Sequence, residues 1–343
     1  MSASVMRTVA RRPANGGNHA VVRDNGTVFA REGAFVVSGS VRLGGVLCIG
    51  AVMVDVVCRV PRLPVRGEGV IAAERTQTLG GCAFNSGCAV RELGAPCFLL
   101  APLGAGPTAD FIRAGLAARG LAALEIDTTF DCGVCTCLVE PDGERTMITA
   151  PGIERRFERS WFERIDGERF AAAVASGYEI EGAGGGEIIS FVERHPDLEF
   201  YYAPGPRIMG VGSEKNARIN ALHPVWHLND QEALEFTGAA TVDEAGRTIA
   251  TACENACVIT CGVQGAAAYL ADGAVIKAPT EPVEVVDTVG AGDAHVGALA
   301  AARAAGAPWD EALAVANAVA GVACTVAGGA LPAGALASAG VHL

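Results

Sequence analysis

Lysine is almost missing from this chain: it occurs only at Lys215 and Lys277, so arginine carries nearly all the positive charge. Without a Gly-Lys-Ser/Thr step no P-loop can form, because that loop needs its lysine on the terminal phosphates of a nucleotide. Any phosphate site must therefore be built another way. Positive charge of any kind is short. The formal net charge is −12 and the pI is near 5.0, which argues against nucleic acid or an anionic membrane held by general electrostatics. The stretch from Val46 to Asp55 lacks a Gly-x-Gly-x-x-Gly turn, and with it the dinucleotide site of a Rossmann dehydrogenase. The start shows no secretory signal, and the 12 cysteines are spread through the chain. They read as buried, reduced small hydrophobes of a cytoplasmic protein, not as a disulfide framework. Cys132, Cys135 and Cys137 have metal-like spacing, but no second Cys or His pair nearby completes four ligands. Cys253, Cys257 and Cys261 lie at helical spacing, where core packing is again expected. The uncharged run from Leu313 to Leu331 is long enough to span a bilayer. Its bulk is Ala and Gly, and Gly328-Gly329 would stop it, so a buried Ala-rich helix is expected.

What is present fits an α/β protein. The 343 residues can hold one large domain with a sizeable core. Residues 1–44 mix Arg, Asn, Gly and Ser and read as an accessory, poorly ordered extension; 45–343 read as the domain. Val46-Leu47-Cys48-Ile49-Gly50 is a buried strand ending at a glycine, with Asp55 in the apolar run beyond it. Ligands of open α/β sheets bind just past such strand ends, where a carboxylate can grip hydroxyl groups. Alternating, turn-rich segments near 56–79 and 132–150 interrupt the α/β pattern and can pair as a small separate sheet, a natural lid. Between them Gly80-Gly81 permits close backbone approach and Asn85 opens a helix over Ser86 to Leu93. Gly182 to Gly186 reads as a flexible loop, and Leu198 to Tyr202 as a strand. Asn229 and Glu232 fit a capping box. Thr260 ends a strand before a loop containing Gly262 and Gly265; Ala266 to Leu270 and Val275 to Ala278 form a hairpin about Asp272-Gly273.

The sharpest chemistry lies at Asp287-Thr288-Val289-Gly290-Ala291-Gly292-Asp293, where a β-branched run meets a glycine turn and then an Ala-rich helix. Unpaired N–H groups at a helix N-terminus attract anions, and small residues there let an anion reach the backbone. Asp293 either caps the helix or accepts a proton from a hydroxyl that attacks a bound phosphate.

Taken in order, Gly80-Gly81-x-x-x-Asn85, Asn229-x-x-Glu232, Thr260-x-Gly262-x-x-Gly265 and Asp287-Thr288-x-Gly290-Ala291-Gly292-Asp293 resemble the ribokinase/PfkB family of carbohydrate kinases, over roughly Val46 to Pro332. The resemblance implies a central, mostly parallel sheet flanked by helices, a small β lid, and transfer of the ATP γ-phosphoryl group to a hydroxyl. It implies Asp293 as catalytic base and the N–H groups of Gly290, Ala291, Gly292 and Asp293 as an anion hole. Asp55, Gly80, Gly81 and Asn85 would face the substrate; Thr260, Gly262, Gly265 and Asn317 the nucleotide. Asn229 and Glu232 would organise water around Mg2+, and Asp287 would border a monovalent-cation (K+) site. Partners would be a sugar or nucleoside, with no nucleic acid and no membrane; apart from the resemblance, an exposed lid edge would invite a second copy to pair through the lid. Departures bear on specificity. Cys82-Ala83-Phe84 replaces the Lys-Gly-Ala of ribokinase-like members, and His295 stands where Phe is usual. A nucleoside kinase is the alternative of the same fold, with Phe84 a candidate to stack on a base; a non-catalytic sugar- or nucleotide-binding regulator is the alternative of another class. Tyr178-Glu179 and Glu154-Arg155 lie where further substrate-side groups could come from.

Overall fold

A computed structural model describes residues 44–165 and 167–343, with two short strands, Val21–Val22 and Val28–Phe29, that pair antiparallel. The rest of the expected extension, residues 1–20, 23–27 and 30–43, lies outside the described residues.

Strands such as Gly45–Ile49 and Phe170–Ser176 carry unbroken apolar runs, because helices cover both faces of the sheet they join. That sheet has eight strands. In spatial order they are Val275–Ala278, Ala266–Leu270, Ala256–Thr260, Val225–Asn229, Glu199–Ala203, Phe170–Ser176, Gly45–Ile49 and Cys97–Leu100. All neighbours are parallel except the hairpin at the first edge, which folds back antiparallel on Ala256–Thr260. The chain leaves Gly45–Ile49 toward Cys97–Leu100 on one side and later resumes at Phe170–Ser176 on the other. Strand order thus reverses between Gly45–Ile49 and Phe170–Ser176, and at such a switch point the carboxyl ends of the strands open a crevice.

A separate four-stranded sheet stands beside that crevice, ordered Arg145–Ala150, Val134–Val139, Met53–Arg59, Glu74–Gly80. This is the expected lid, with its first strand beginning at Met53, so that Asp55 is a lid residue paired with Thr78 and Cys135. Cys135 and Cys137 point inward on alternate positions of a lid strand, and among the described residues no group of His, Cys, Asp or Glu could hold a metal ion.

Three local expectations change. The helix after the paired glycines starts at Cys82 and runs to Glu92, taking the glycine motif itself as its entrance. The segment read as a loop over Gly182 to Gly186 already contains the start of the helix Gly185–Glu193, whose buried Ile188, Ile189, Phe191 and Val192 outweigh the glycines. Cys253 ends the helix Val242–Cys253 while Cys257 sits in the strand Ala256–Thr260, so the helical spacing of those cysteines spans a helix-to-strand turn. The Ala-rich run forms the helix Trp309–Cys324, ending before Gly328-Gly329. No helix among the described residues is long and apolar enough to cross a membrane.

Helices Cys82–Glu92 and Ala291–Ala304 pack on one another over the switch point. Small residues allow this: a Cβ on Gly297 would sit 2.5 Å from the carbonyl oxygen of Ser86. Gly292, by contrast, has nothing within 4 Å of where a Cβ would be. Gly297→Val is therefore expected to lower the unfolding free energy by about 1–3 kcal/mol through overpacking, while Gly292→Ala leaves it unchanged or slightly higher; urea unfolding of both variants checks the contrast.

Candidate active site

The crevice is built from the peptides that leave the sheet. Gly50 ends Gly45–Ile49 with φ 149°, and a Cβ there would meet the Glu179 carboxyl carbon at 2.9 Å. Three residues on, the lid strand that carries Asp55 begins. Gly80 lies against Asp55 so closely that any side chain would collide with its carboxylate, and Gly81, at φ 103°, would place a Cβ 2.5 Å from the carbonyl oxygen of Ala51. Each glycine of the pair is thus required by a different neighbour.

Asn85, on the first turns of Cys82–Glu92, donates from Nδ2 to Asp293 Oδ2 at 2.9 Å. Ser86 Oγ donates to the Asp293 carbonyl oxygen, also at 2.9 Å. Asp293 itself is in the first turn of Ala291–Ala304, a helix whose N-cap is Gly290 at φ 75° and which has no side-chain cap. Its first-turn N–H groups are thus left without a side-chain acceptor, and exposed Gly292 leaves the approach open. Gly290 abuts the backbone of Gly329, so no other residue fits. Asp287 braces the turn: it accepts from Val289 N at 2.8 Å and from Gly328 N at 2.9 Å, and its other partner is the Arg145 guanidinium, reaching down from the lid.

Carboxyl groups dominate the electrostatics. Burial pushes the Asp293 pKa up to about 6, against hydrogen bonds from Asn85 and the Cys82 thiol that favour its ionised form. Asp55 is pushed up to about 6 as well, by burial first and then by the charge of Asp293. Glu179 is raised to about 7, chiefly by burial, with the Asp293 charge adding to it. A small cavity bordering Asp293 is lined by Ile49, Cys82, Ser86, Ser176, Ala203 and Asp293, among others. Asn85 Oδ1, buried beside them, has no hydrogen-bond partner.

The structure therefore brings together Asp55, Gly80, Gly81, Asn85, Asp287, Gly290, Ala291, Gly292 and Asp293. Asn229 and Thr260 form a second group as register partners at the ends of adjacent strands, followed by the exposed turn that holds Gly262. Gly265 closes that turn at φ 85°, where a Cβ would collide with Ala278. Asn229 and Glu232 make the reciprocal capping box, Glu232 N to Asn229 Oδ1 at 2.7 Å and Asn229 N to Glu232 Oε2 at 3.1 Å. Outside that exchange Asn229 keeps its Nδ2 donor and Glu232 keeps its Oε1 acceptor. Asn317 points into the core, away from solvent. Phe84 is 0% exposed and lies under the Arg119 guanidinium, so it cannot stack on a nucleoside base. Arg145 and Ser176 carried no local signal in the sequence; both reach the site through contacts distant along the chain.

Residues 44–179 and 217–335 match the pfkB family of carbohydrate kinases. The chain belongs to that family. It is 33% identical over 279 residues to an uncharacterized sugar kinase of Escherichia coli (strain K12), YegV, covering 80% of this chain and 87% of the relative. It is 26% identical over 300 residues to the ketohexokinase of Mus musculus, covering 82% and 97%. The crystal structure of an adenosine kinase from Sinorhizobium meliloti shares the fold, with a TM-score of 0.74 at 19% identity over 86% of this chain and 98% of that one. As a pfkB kinase it is a sugar or nucleoside kinase, a phosphotransferase with a hydroxyl acceptor.

Within this pfkB kinase, His295 packs inward and begins a buried polar chain. Asn317 Nδ2 donates to the carbonyls of Ala278 and Pro279 at 2.9 and 3.1 Å, so its Oδ1 must accept from His295 Nε2 at 3.1 Å. His295 Nδ1 is then the acceptor for His227 Nε2 at 2.9 Å, and both rings are neutral. Burial holds the pKa of His227 well below 6.5, with the charge of His295 adding to the effect. Burial lowers His295 to about 4. A base depressed in the folded state costs nothing above 6.5; as pH falls from there toward 4, the unfolded chain takes up protons the folded one refuses, and stability drops. His295→Phe should cost about 1–3 kcal/mol at pH 7.5, by stranding Asn317 and His227, and should shrink the further loss between pH 7 and 5. Urea unfolding at both pH values reads this, and an undiminished loss in the variant would rule out titration of the chain.

Proposed function

We propose that this kinase transfers the γ-phosphoryl group of ATP to a hydroxyl of a small, uncharged, polyhydroxylated substrate, with Asp293 as general base. The observation that carries the reading is the cross-helix pair: Asn85 Nδ2 holds Asp293 Oδ2 at 2.9 Å while Asn85 Oδ1 stays buried and unpaired. A buried acceptor without a partner costs free energy that a substrate hydroxyl would recover. Asp55 offers further acceptor oxygens to neighbouring hydroxyls. The charge acting on Asp55 is that of Asp293, another anion, so the acceptor pocket disfavours sugar acids.

The reaction needs positioning and charge compensation more than covalent help. Asp293 takes the proton of the acceptor hydroxyl as that oxygen bonds to phosphorus and the bond to the leaving diphosphate breaks. The first-turn N–H groups after Gly290 face the developing negative charge. Thr260, Gly262 and Gly265 would border the nucleotide. Asn317, through the carbonyls of Ala278 and Pro279, would shape that border from behind. Mg2+ bound to the nucleotide supplies further neutralisation of the phosphates, and Asn229 and Glu232 would orient water toward it. Asp287 meets Arg145 and two amides, so potassium dependence is a variable to measure alongside turnover. A nucleoside acceptor is the second reading, resting on the shared fold with adenosine kinase.

Asp293→Asn is expected to keep ATP affinity within about threefold and to lower turnover by roughly 10²–10⁴. For the wild type, kcat/KM should fall as pH drops through about 6, because the base must be ionised. An ADP-release assay over neutral sugars, polyols, sugar acids and nucleosides, with and without potassium, checks both. Wild-type turnover in the Asn variant would sink the base assignment; ATP binding with no turnover on any acceptor would favour the regulator.

A further inference from the structure

Glu179 is 2% exposed and takes no part in the reaction described above. It sits on the short helix Gly177–Glu181, just after the strand Phe170–Ser176 ends at the switch point. Its Oε1 accepts the N–H of Ala51 at 3.0 Å, and its Oε2 accepts the Ser176 hydroxyl. Ala51 lies in the three-residue link between Gly45–Ile49 of the large sheet and Met53–Arg59 of the lid. The other end of the same residue is also held: its carbonyl oxygen accepts from Phe84 N at 3.4 Å, in the helix that carries Asn85. The surroundings leave Glu179 little freedom, since Gly50 must lack a side chain for the carboxyl group to fit.

We propose that Glu179 is a positioning residue for the acceptor site, fastening the hinge peptide at Ala51 so that the lid strand presents Asp55 opposite Asp293. The inference rests on the kinase reading for its link to catalysis, but the hinge contact stands by itself. A lid strand that leaves a sheet through three residues would pivot more freely there without it, because the link's other backbone bonds are both long: Gly50 N to the carbonyl of Leu100 at 3.3 Å, and Phe84 N to the carbonyl of Ala51 at 3.4 Å. Glu179 closes that freedom from the body side. The cations nearby are engaged elsewhere: Arg155 and Arg207 both grip Glu181, and Lys215 Nζ bonds the carbonyls of Ile180 and Gly182 at 2.7 and 3.0 Å. Glu179 thus keeps its two oxygens for Ala51 and Ser176. It senses the charge of Asp293, which places the hinge and the base within one electrostatic neighbourhood.

Glutamine at this position keeps an oxygen that can accept from Ala51, whereas alanine does not. Amide hydrogen exchange across residues 50–56 is expected to speed up tenfold or more in Glu179→Ala and to stay within about twofold of wild type in Glu179→Gln. In steady-state kinetics Glu179→Ala should raise the KM for the acceptor about tenfold with the Kd for ATP unchanged, and Glu179→Gln should restore it. If Glu179→Ala fails to fold, Ser176→Ala, which frees one carboxylate oxygen, should show an intermediate gain in exchange. Unchanged exchange in whichever variant folds, or equal losses of acceptor and ATP affinity, would overturn the assignment. A wild type silent on every acceptor would refute the kinase reading, and the exchange measurement would still decide the hinge.

Discussion

The site depends on how closely two helices approach. Asn85 and Ser86 on one helix bond the side chain and the backbone of Asp293 on the other, both at 2.9 Å. Those bonds exist because the helices meet through Gly297 and the Ser86 backbone, with no side chain between them. The same closeness half-buries the Asp293 carboxylate and raises its proton affinity to a value useful for a base near neutral pH. Packing and the protonation of the proposed base are here one geometric fact. A helix pair held apart by ordinary side chains would leave Asp293 a solvated helix cap.

Charge is arranged with similar economy. A chain nearly without lysine leaves backbone amides at the start of Ala291–Ala304 for the proposed phosphate site, while Arg145 pairs with Asp287 from the lid and Arg155 and Arg207 pair with Glu181. What remains around the pocket is acidic: Asp55, Asp293 and Glu179, each with a raised pKa. Groups of one sign gathered in a buried place resist a substrate of that sign and leave hydroxyls as the natural guests.

The glycine turns, the parallel sheet and the lid were legible in the sequence because each has a local signature: unbroken apolar runs, paired glycines, a turn with alternating flanks. Asp55, Asn85 and Asp293 were legible only as a set in order, since each alone reads as a loop acid or a helix cap. Long-range partners had no such signature. Arg145 follows a hairpin turn like any surface arginine, and its meeting with Asp287 spans 142 residues. Glu179 could be flagged but not aimed, because its direction depends on the register of Phe170–Ser176 beside Gly45–Ile49. Phe84 misled for the opposite reason: an aromatic next to a substrate motif looks available, yet the helix turns it into the core. His295 was separable from the site only once His227 and Asn317 appeared around it.

The ion pair between Arg145 and Asp287 joins the lid to the glycine turn that opens Ala291–Ala304. Two parts of the molecule that share a bond cannot have independent equilibria. A ligand that shifts the turn alters the free energy of the lid, and by thermodynamic reciprocity anything that seats the lid alters the affinity of the turn by the same factor. On the proposed reading, acceptor and nucleotide would in that sense each be an effector of the other.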